Sequence, residues 1–279
     1  MRRAGQVLAA LAGIAFACVA YLYLTLPDVR VLRQSNPPTT AFIELRAREA
    51  RARRQQPKRV QRWVVYERIS PHLKRAVLVA EDSAFWQHDG IDYEQVKESM
   101  ELNLARGEFV RGASTITQQL AKNLYLSPSK NPLRKLRELL IARRMEAELS
   151  KRRILEIYLN VIEWGDGIYG AEAAARSYFR KGAADLGPLE SALLAAAIRN
   201  PRVYSPAQPT ARLRGLQQMI LRRMGAVTPP PAAPERPAAL PQDAVPALPA
   251  EALPPILPGE EVRPEAPQPV KPCADPPCR

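Results

Sequence analysis

Apolar residues recur three and four positions apart through the middle of the chain, which is the spacing of an amphipathic helix. One helix is predicted from Pro71 to Glu81, with Ser70 as its N-cap and a proline in its first turn. Further helices are predicted to begin at the capping residues Asp92, Thr115, Asn131 and Ser150.

The helix after Ser150 is expected to end at Gly165. Shorter helices rich in Ala and Leu are predicted within residues 170–181, 188–199 and 210–224. No alternation of strands with helices is seen between Trp63 and Gly225. The pattern therefore predicts an all-α domain of about eight helices.

The N-terminus is different, because no charged residue occurs from Ala4 to Pro27. About 20 apolar residues are needed to cross a bilayer, and this nearly continuous apolar run is long enough. A cleaved signal peptide is the competing interpretation, since Arg2 and Arg3 form a basic start. The run is longer than most signal-peptide cores, which favours an uncleaved transmembrane helix. The two arginines favour a cytoplasmic N-terminus, although basic residues soon after the span weaken that signal.

Charge and proline are unevenly distributed along the 279 residues. Residues 228–279 hold 17 of the 28 prolines and have a net charge of −3. Since the whole chain has a net charge of +13, residues 1–227 carry +16. Such a proline-rich stretch cannot build a packed core, so we expect a disordered tail. Basic residues are densest in residues 45–59, where a helix on an anionic lipid surface is favoured over nucleic-acid binding or a solvated linker.

These features divide the chain into four predicted segments. They are a cytoplasmic N-terminus with its membrane anchor (1–27), a basic juxtamembrane segment (28–62), a helical domain (63–227) and the tail (228–279).

Four sequence blocks in the central half of the chain carry the candidate chemistry. Residues 79–90 read VAEDSAFWQHDG, 111–123 read RGASTITQQLAKN, 134–138 read RKLRE, and 151–160 read KRRILEIYLN, followed later by YFRK. In this order they resemble the EDxxFxxHxG, GxSTITQQ, RKxxE and KxxILxxYLN motifs of the glycosyltransferases that polymerise peptidoglycan. One block alone is unspecific, because such clusters occur on ordinary helix surfaces. Four such blocks in this order are a specific sign of this family.

The resemblance is to the monofunctional branch of that family, and it implies a mainly helical, lysozyme-like fold. The implied reaction joins lipid II into β-1,4-linked glycan strands with inversion and releases undecaprenyl diphosphate, without an organic cofactor. The implied partners are lipid II, the growing glycan strand, the bilayer, and other cell wall synthesis or division proteins, but no nucleic acid. The expected location is the bacterial inner membrane, with the catalytic domain on the periplasmic side.

Glu81 is the first candidate catalytic residue. It ends an apolar helix, where partial burial is expected to raise its pKa into a range useful for proton transfer. By resemblance it is the general base that deprotonates the 4-hydroxyl of the acceptor sugar. An exposed glutamate at a helix end is the ordinary alternative for an isolated Glu-Asp pair.

Glu138 is the second candidate, and Arg134 and Lys135 lie four and three residues before it, on the same helix face. Taken alone, the three form a surface ion-pair cluster that contributes roughly a few tenths of a kcal/mol. By resemblance Glu138 lies beside the diphosphate, where it helps to hold a divalent cation, Mg²⁺ or Mn²⁺, or orients the basic groups.

Other candidate substrate contacts surround these glutamates. The helix start at Thr115, after a loop glycine, is expected to offer free N–H groups to an anion, although Thr115 is equally suited to cap the helix. Phe85 and His88 are expected to hold the loop that aims Glu81. The candidate substrate-binding residues are Asp82, Phe85, Ser114, Thr115, Gln118, Gln119, Lys122, Asn123, Arg134 and Lys135.

Two rival functions follow from the same residues. A lytic glycoside hydrolase with an essential glutamate has no diphosphate to bind, so the cluster of Lys122, Arg134 and Lys135 favours the transferase. A non-catalytic membrane scaffold would dock through the basic segment and the tail. The presence of both Glu81 and Glu138 disfavours it.

Overall fold

A computed structural model of the chain describes residues 20–108, 112–128 and 131–225, together with residues 6, 12, 13, 16 and 17. The described part is mainly helical, as predicted. Its α-helices are α1 (Ala41–Ala52), α2 (Pro71–Glu81), α3 (Tyr93–Arg106), α4 (Ile116–Tyr125), α5 (Pro132–Glu148), α6 (Lys151–Val161), α7 (Ala171–Phe179), α8 (Pro188–Ala197) and α9 (Ala211–Met224).

The predicted tail lies outside the described residues, as does most of the predicted membrane anchor. Within the described stretches, no helix combines the length and the apolar character that crossing a bilayer requires.

Side-chain caps begin the helices where the sequence predicted them. Ser70 accepts a hydrogen bond from the N–H of His72 at the start of α2, next to Pro71. Helices α3 to α6 begin in the same way, with the side chains of Asp92, Thr115, Asn131 and Ser150 accepting from N–H groups of the first turn. Each cap satisfies a backbone donor that has no partner within the helix.

The expectation of an all-α domain was wrong in one place. Helix α6 ends at Val161, four residues before Gly165, because strand β2 (Glu163–Gly165) follows it. Strands β1 (Val60–Gln61) and β3 (Ile168–Tyr169) complete a small sheet in the order β1-β3-β2, with β1 parallel and β2 antiparallel to β3. Strands of two or three residues are too short to show a periodicity of two in the sequence.

Gly170 joins this sheet to α7 and has a φ of +84°. A Cβ atom at this position would lie 2.7 Å from the carbonyl oxygen of Asn160. Both the backbone conformation and the close approach therefore require glycine.

Two groups of helices build the core. Helix α2 packs against α8 and α9, and the alanine-rich α8 allows a close approach. Helix α4 packs against α1, α5 and α6, and the largest fully buried side chains include Trp164, Tyr158 and Phe85. The C-terminal end of α2, which carries Glu81, meets α4 through the contacts described below.

Candidate active site

Glu81 ends α2 as a partly buried side chain. Its Oε2 atom accepts a hydrogen bond of 2.8 Å from the Nε2 of Gln119 on α4. Burial raises the pKa of Glu81 above its ordinary value of 4.5, against the opposing effects of that hydrogen bond and of the charges of Arg199 and Lys122. The expectation of a raised pKa is confirmed, which suits a group that must accept a proton.

Gln119 in turn is held by α6. The hydroxyl of Tyr158 donates a hydrogen bond of 2.9 Å to the Oε1 of Gln119. Tyr158 is completely buried, and the side-chain amide of Asn123 donates to the backbone carbonyl of Gln119 at 2.9 Å. The amide beside Glu81 is therefore bonded at both ends.

Asp82 connects the loop after α2 to the start of α4. Its Oδ2 accepts from the backbone N–H of Ile116 at 2.9 Å, and its Oδ1 lies 3.0 Å from the Nε2 of His88. The backbone N–H of Gly90 donates to the Nδ1 of His88 at 3.2 Å, so Nε2 carries the ring proton and donates to Asp82. His88 thus holds this loop, as expected.

Two N–H groups at the start of α4 are already bonded within the protein. Asp82 occupies the N–H of Ile116, and the side chain of Thr115 accepts from the N–H of Gln118. The expectation of free N–H groups was wrong at Ile116 and Gln118, because the carboxylate of Asp82 and the hydroxyl of Thr115 are their acceptors. The capping role of Thr115 is confirmed.

Glu138 lies on α5 with only 3% of its surface exposed. Its Oε2 accepts from Arg134 at 2.6 Å and its Oε1 from Lys135 at 2.5 Å. Lys135 also donates to the Oγ of Ser114 at 3.3 Å and to the Oε1 of Gln118 at 3.1 Å. The predicted shared face of these residues is confirmed, and Lys135 joins it to α4.

The carboxylate of Glu138 is paired with two cationic side chains, Arg134 and Lys135. Each of its carboxylate oxygens is bonded to one cationic side chain, and a carboxylate has about four lone-pair sites in all. Within the described stretches, one group of three acidic or histidine side chains brings ligand atoms within 4.8 Å of each other, and it consists of Asp82, His88 and Asp92. Both carboxylates of this group have hydrogen-bond partners within the protein, since Asp82 is bonded as above and Asp92 caps α3.

Lys122 on α4 lies within the electrostatic reach of both glutamates. Burial lowers its pKa below the ordinary value, and the charges of Glu138 and Glu81 act against that effect. Its ammonium group lies 5.9 Å from the ring centre of Phe42 on α1. The charges of both glutamates therefore act on Lys122.

Comparison with known proteins identifies the family to which this arrangement belongs. Residues 48–225 match the family model described as Transglycosylase. The chain belongs to the transglycosylase family. Three similar proteins, each named biosynthetic peptidoglycan transglycosylase, come from Aromatoleum aromaticum (49% identical over 230 residues, 82% of this chain and 98% of the relative), Laribacter hongkongensis (50% over 197 residues, 70% and 86%) and Chromobacterium violaceum (45% over 219 residues, 78% and 95%).

In this transglycosylase, two candidate substrate contacts face the protein interior. Phe85 is fully buried, and the ammonium group of Lys151 lies 4.5 Å from its ring centre. Asp82 is 2% exposed, with both oxygens bonded. Their surroundings favour holding the loop after Glu81 over contact with substrate.

Sequence reasoning missed two residues of the transglycosylase site. Arg199 follows α8, lines a small pocket with Glu81, and lowers the pKa of that glutamate by its charge. Tyr158 belongs to the fourth sequence block, which contributed no candidate site residue. Nothing in the sequence around Tyr158 shows that its hydroxyl reaches Gln119 on α4, because Tyr158 and Gln119 are 39 positions apart.

Proposed function

We propose that this peptidoglycan glycosyltransferase polymerises lipid II with Glu81 as the general base. The carboxylate of Glu81 removes the proton from the 4-hydroxyl of the acceptor sugar, and the resulting oxygen attacks the anomeric carbon of the donor. The bond from that carbon to the diphosphate breaks, and undecaprenyl diphosphate leaves with the bonding electron pair. Attack from the face opposite the leaving group inverts the anomeric carbon and forms the β-1,4 linkage.

The basic cluster beside Glu138 suits the leaving diphosphate. Arg134 offers a planar fork that can bind two phosphate oxygens, and Lys135 and Lys122 act as compact charges. Glu138 holds Arg134 and Lys135 in place on α5, and this orienting role agrees with its donor set better than cation binding does.

One observation carries the proposal most directly. The neighbouring glutamines of α4 bond the two parts of the site, Gln119 to Glu81 and Gln118 to the lysine that pairs with Glu138. A proton acceptor and a diphosphate cradle are thus supported by one turn of one helix. Transfer from a diphosphate donor needs both, whereas hydrolysis of a neutral glycan needs only the first.

We further propose a location at the outer face of the bacterial inner membrane, anchored by residues 1–27. The cell envelope is where a peptidoglycan glycosyltransferase acts, and a lipid-linked substrate must be met at the bilayer. Met100 and Leu104, exposed one turn apart on α3, are apolar side chains suited to contact with lipid.

A reporter fusion tests this topology. Alkaline phosphatase fused after Gly225 should be active, whereas activity only of a reporter that works in the cytoplasm would contradict the topology.

The test of the reaction uses the purified full chain in detergent with fluorescent lipid II. We expect polymer that lysozyme digests, and a loss of turnover by about 10²- to 10⁴-fold in Glu81→Gln, which keeps the size of the side chain but cannot accept the proton. Glu101→Gln, on the exposed face of α3, is the matched control and should behave as the wild type.

Two outcomes would contradict the proposal. Near-normal polymerisation by Glu81→Gln would exclude Glu81 as the base. Release of soluble fragments from preformed glycan, without polymerisation of lipid II, would identify a hydrolase instead.

A further inference from the structure

The side-chain amide of Gln119 has two possible orientations, which exchange its oxygen and its NH₂ group. The hydrogen bond from Tyr158 favours one of them. In the observed orientation the Tyr158 hydroxyl donates to Oε1, and Nε2 donates to the carboxylate of Glu81. All these groups are then satisfied with Glu81 ionised. Reversing the amide would point a carbonyl oxygen at Glu81, which is favourable only when Glu81 carries a proton.

The hydroxyl of Tyr158 opposes that reversal because it has one proton to donate. With the amide reversed, Nε2 would donate to the phenol oxygen, and the phenol proton would lose its acceptor inside the protein. A buried donor without a partner is costly. Burial, together with the charges of Glu81 and Asp82, raises the pKa of Tyr158 well above its ordinary value, so the hydroxyl stays protonated wherever the enzyme works.

Several charged groups near Glu81 also affect its pKa, but the amide of Gln119 acts in a different way. The charged groups that act on Glu81 from neighbouring elements are Asp82 after α2, Lys122 on α4 and Arg199 after α8. Arg223 on α9 lines the same small pocket. Gln119 differs from them because it donates a direct hydrogen bond to the carboxylate. The N–H of Gln119 lowers the pKa of Glu81, whereas its carbonyl oxygen would raise that pKa if the amide were reversed.

We propose that Tyr158 is a positioning residue for the general base, whose hydroxyl fixes the amide of Gln119 with its N–H towards Glu81. The inference rests on the proposed role of Glu81 as the base. It assigns to a residue of the fourth motif an effect on Glu81 that passes through Gln119, which is 39 positions from Tyr158 in sequence. Tyr158 itself does not touch the substrate in this mechanism.

The first experiment compares pH profiles of kcat/KM for polymerisation by the wild type and by Tyr158→Phe, using the full chain in detergent. Without the hydroxyl the reversed amide becomes accessible, which stabilises protonated Glu81 and moves the acid limb of the profile to higher pH. We expect kcat/KM at the acid end to fall by about five- to tenfold, with less than about a twofold change on the plateau. An acid limb that stays in place would overturn the proposal.

Two variants separate this effect from a general loss of packing. Tyr178→Phe removes a hydroxyl that donates to the backbone oxygen of Trp164 at 3.2 Å, and it should leave the acid limb unchanged. In a Gln119→Ala background, Tyr158→Phe should cause no further displacement of the limb. An equal displacement with and without Gln119 would show that Tyr158 does not act through the amide, and would overturn the proposal.

A titration that does not depend on turnover separates the role of Tyr158 from the proposed function of the enzyme. The Glu81 carboxyl is followed by NMR in full chain labelled with [δ-¹³C]glutamate, with its signal identified by its loss in Glu81→Gln. We expect the Glu81 titration to move to higher pH in Tyr158→Phe and also in Gln119→Ala. If the wild type makes no polymer, the proposed function fails while this titration still tests the contact; an unchanged titration overturns the inference whether or not polymer forms.

Discussion

The Oδ2 atom of Asp82 accepts a hydrogen bond of 2.9 Å from the backbone N–H of Ile116, across 34 residues of sequence. This bond joins the residue after the candidate base to the first residue of α4. The same carboxylate accepts the ring proton of His88. Asp82 therefore receives two donors, and its own charge faces the positive end of a helix.

Asp82→Asn should weaken this junction although it changes one atom. Asparagine has a single acceptor oxygen, so its NH₂ group would face one of two fixed donors, the N–H of Ile116 or the ring N–H of His88. We expect a loss of about 1–3 kcal/mol in the free energy of unfolding, together with lower turnover. Chemical unfolding of both proteins measures it. Asp89→Asn in the exposed part of the same loop is the control, and an equal loss there would contradict this explanation.

Glu81 should reduce stability at neutral pH while it serves the reaction. Its pKa is raised by burial, so the folded protein holds this proton more tightly than the unfolded chain does, and stability from this group falls as pH rises from the ordinary value of 4.5 through the raised value. Glu81→Gln has no such dependence. We therefore expect a higher melting temperature for Glu81→Gln than for the wild type at pH 7.

This advantage should shrink as the pH is lowered and disappear below the ordinary pKa of 4.5, where wild-type Glu81 is neutral in both states. Glu101→Gln, exposed on α3, should give no comparable pH-dependent difference. A variant less stable than the wild type at pH 7 would show that the carboxylate of Glu81 contributes more through Gln119 than its burial costs.

Local signals explain which parts of the molecule the sequence could predict. Ser70, Thr115 and Ser150 begin helices because a capping side chain acts within three residues, and this range is visible in the sequence. The raised pKa of Glu81 could likewise be predicted, since an apolar helix precedes it. The pairing of Arg134 with Glu138 follows from helix geometry alone.

The missed features all depend on contacts between distant segments. Strand β1 pairs with β3 more than a hundred residues later, over only two residues, and no periodicity can reveal that pairing. The start of α4 looked open to an anion because nothing near Thr115 in sequence showed that Asp82 would occupy it. Arg199 ends an alanine-rich run like many surface arginines, and only packing of α8 on α2 brings it near Glu81.

Lys122 should set the alkaline limit of activity. Burial lowers its pKa, so the ammonium charge that the diphosphate requires is lost at a lower pH than for an ordinary lysine. Lys122→Arg keeps its charge at any working pH, and the alkaline limb of kcat/KM should therefore move to higher pH. The plateau is expected to fall by up to about tenfold, because the guanidinium is larger and planar.

The control for Lys122 is Lys97→Arg, which makes the same change on the exposed face of α3 and should leave both limbs in place. An alkaline limb that does not move in Lys122→Arg would mean that another group limits activity at high pH. The role of the Arg134 and Lys135 cluster would be unaffected by that result.

Arg199 should act on Glu81 through its charge. The positive charge of Arg199 lowers the pKa of Glu81 against the larger effect of burial, so Arg199→Ala should raise that pKa and move the acid limb of kcat/KM to higher pH. At the acid end we expect a fall of only about two- to fivefold, because Arg199 is exposed and solvent screens its charge. Arg199→Lys retains the charge and should restore the acid limb, whatever it does to the plateau.

Arg202→Ala, three residues further on, is the control. It removes a cation that lies near Glu49 and Asp166 instead, and should leave the acid limb where it is. If Arg199→Ala and Arg199→Lys both lower the plateau without moving the limb, Arg199 is required for something other than the ionisation of Glu81, and contact with the substrate becomes the better explanation.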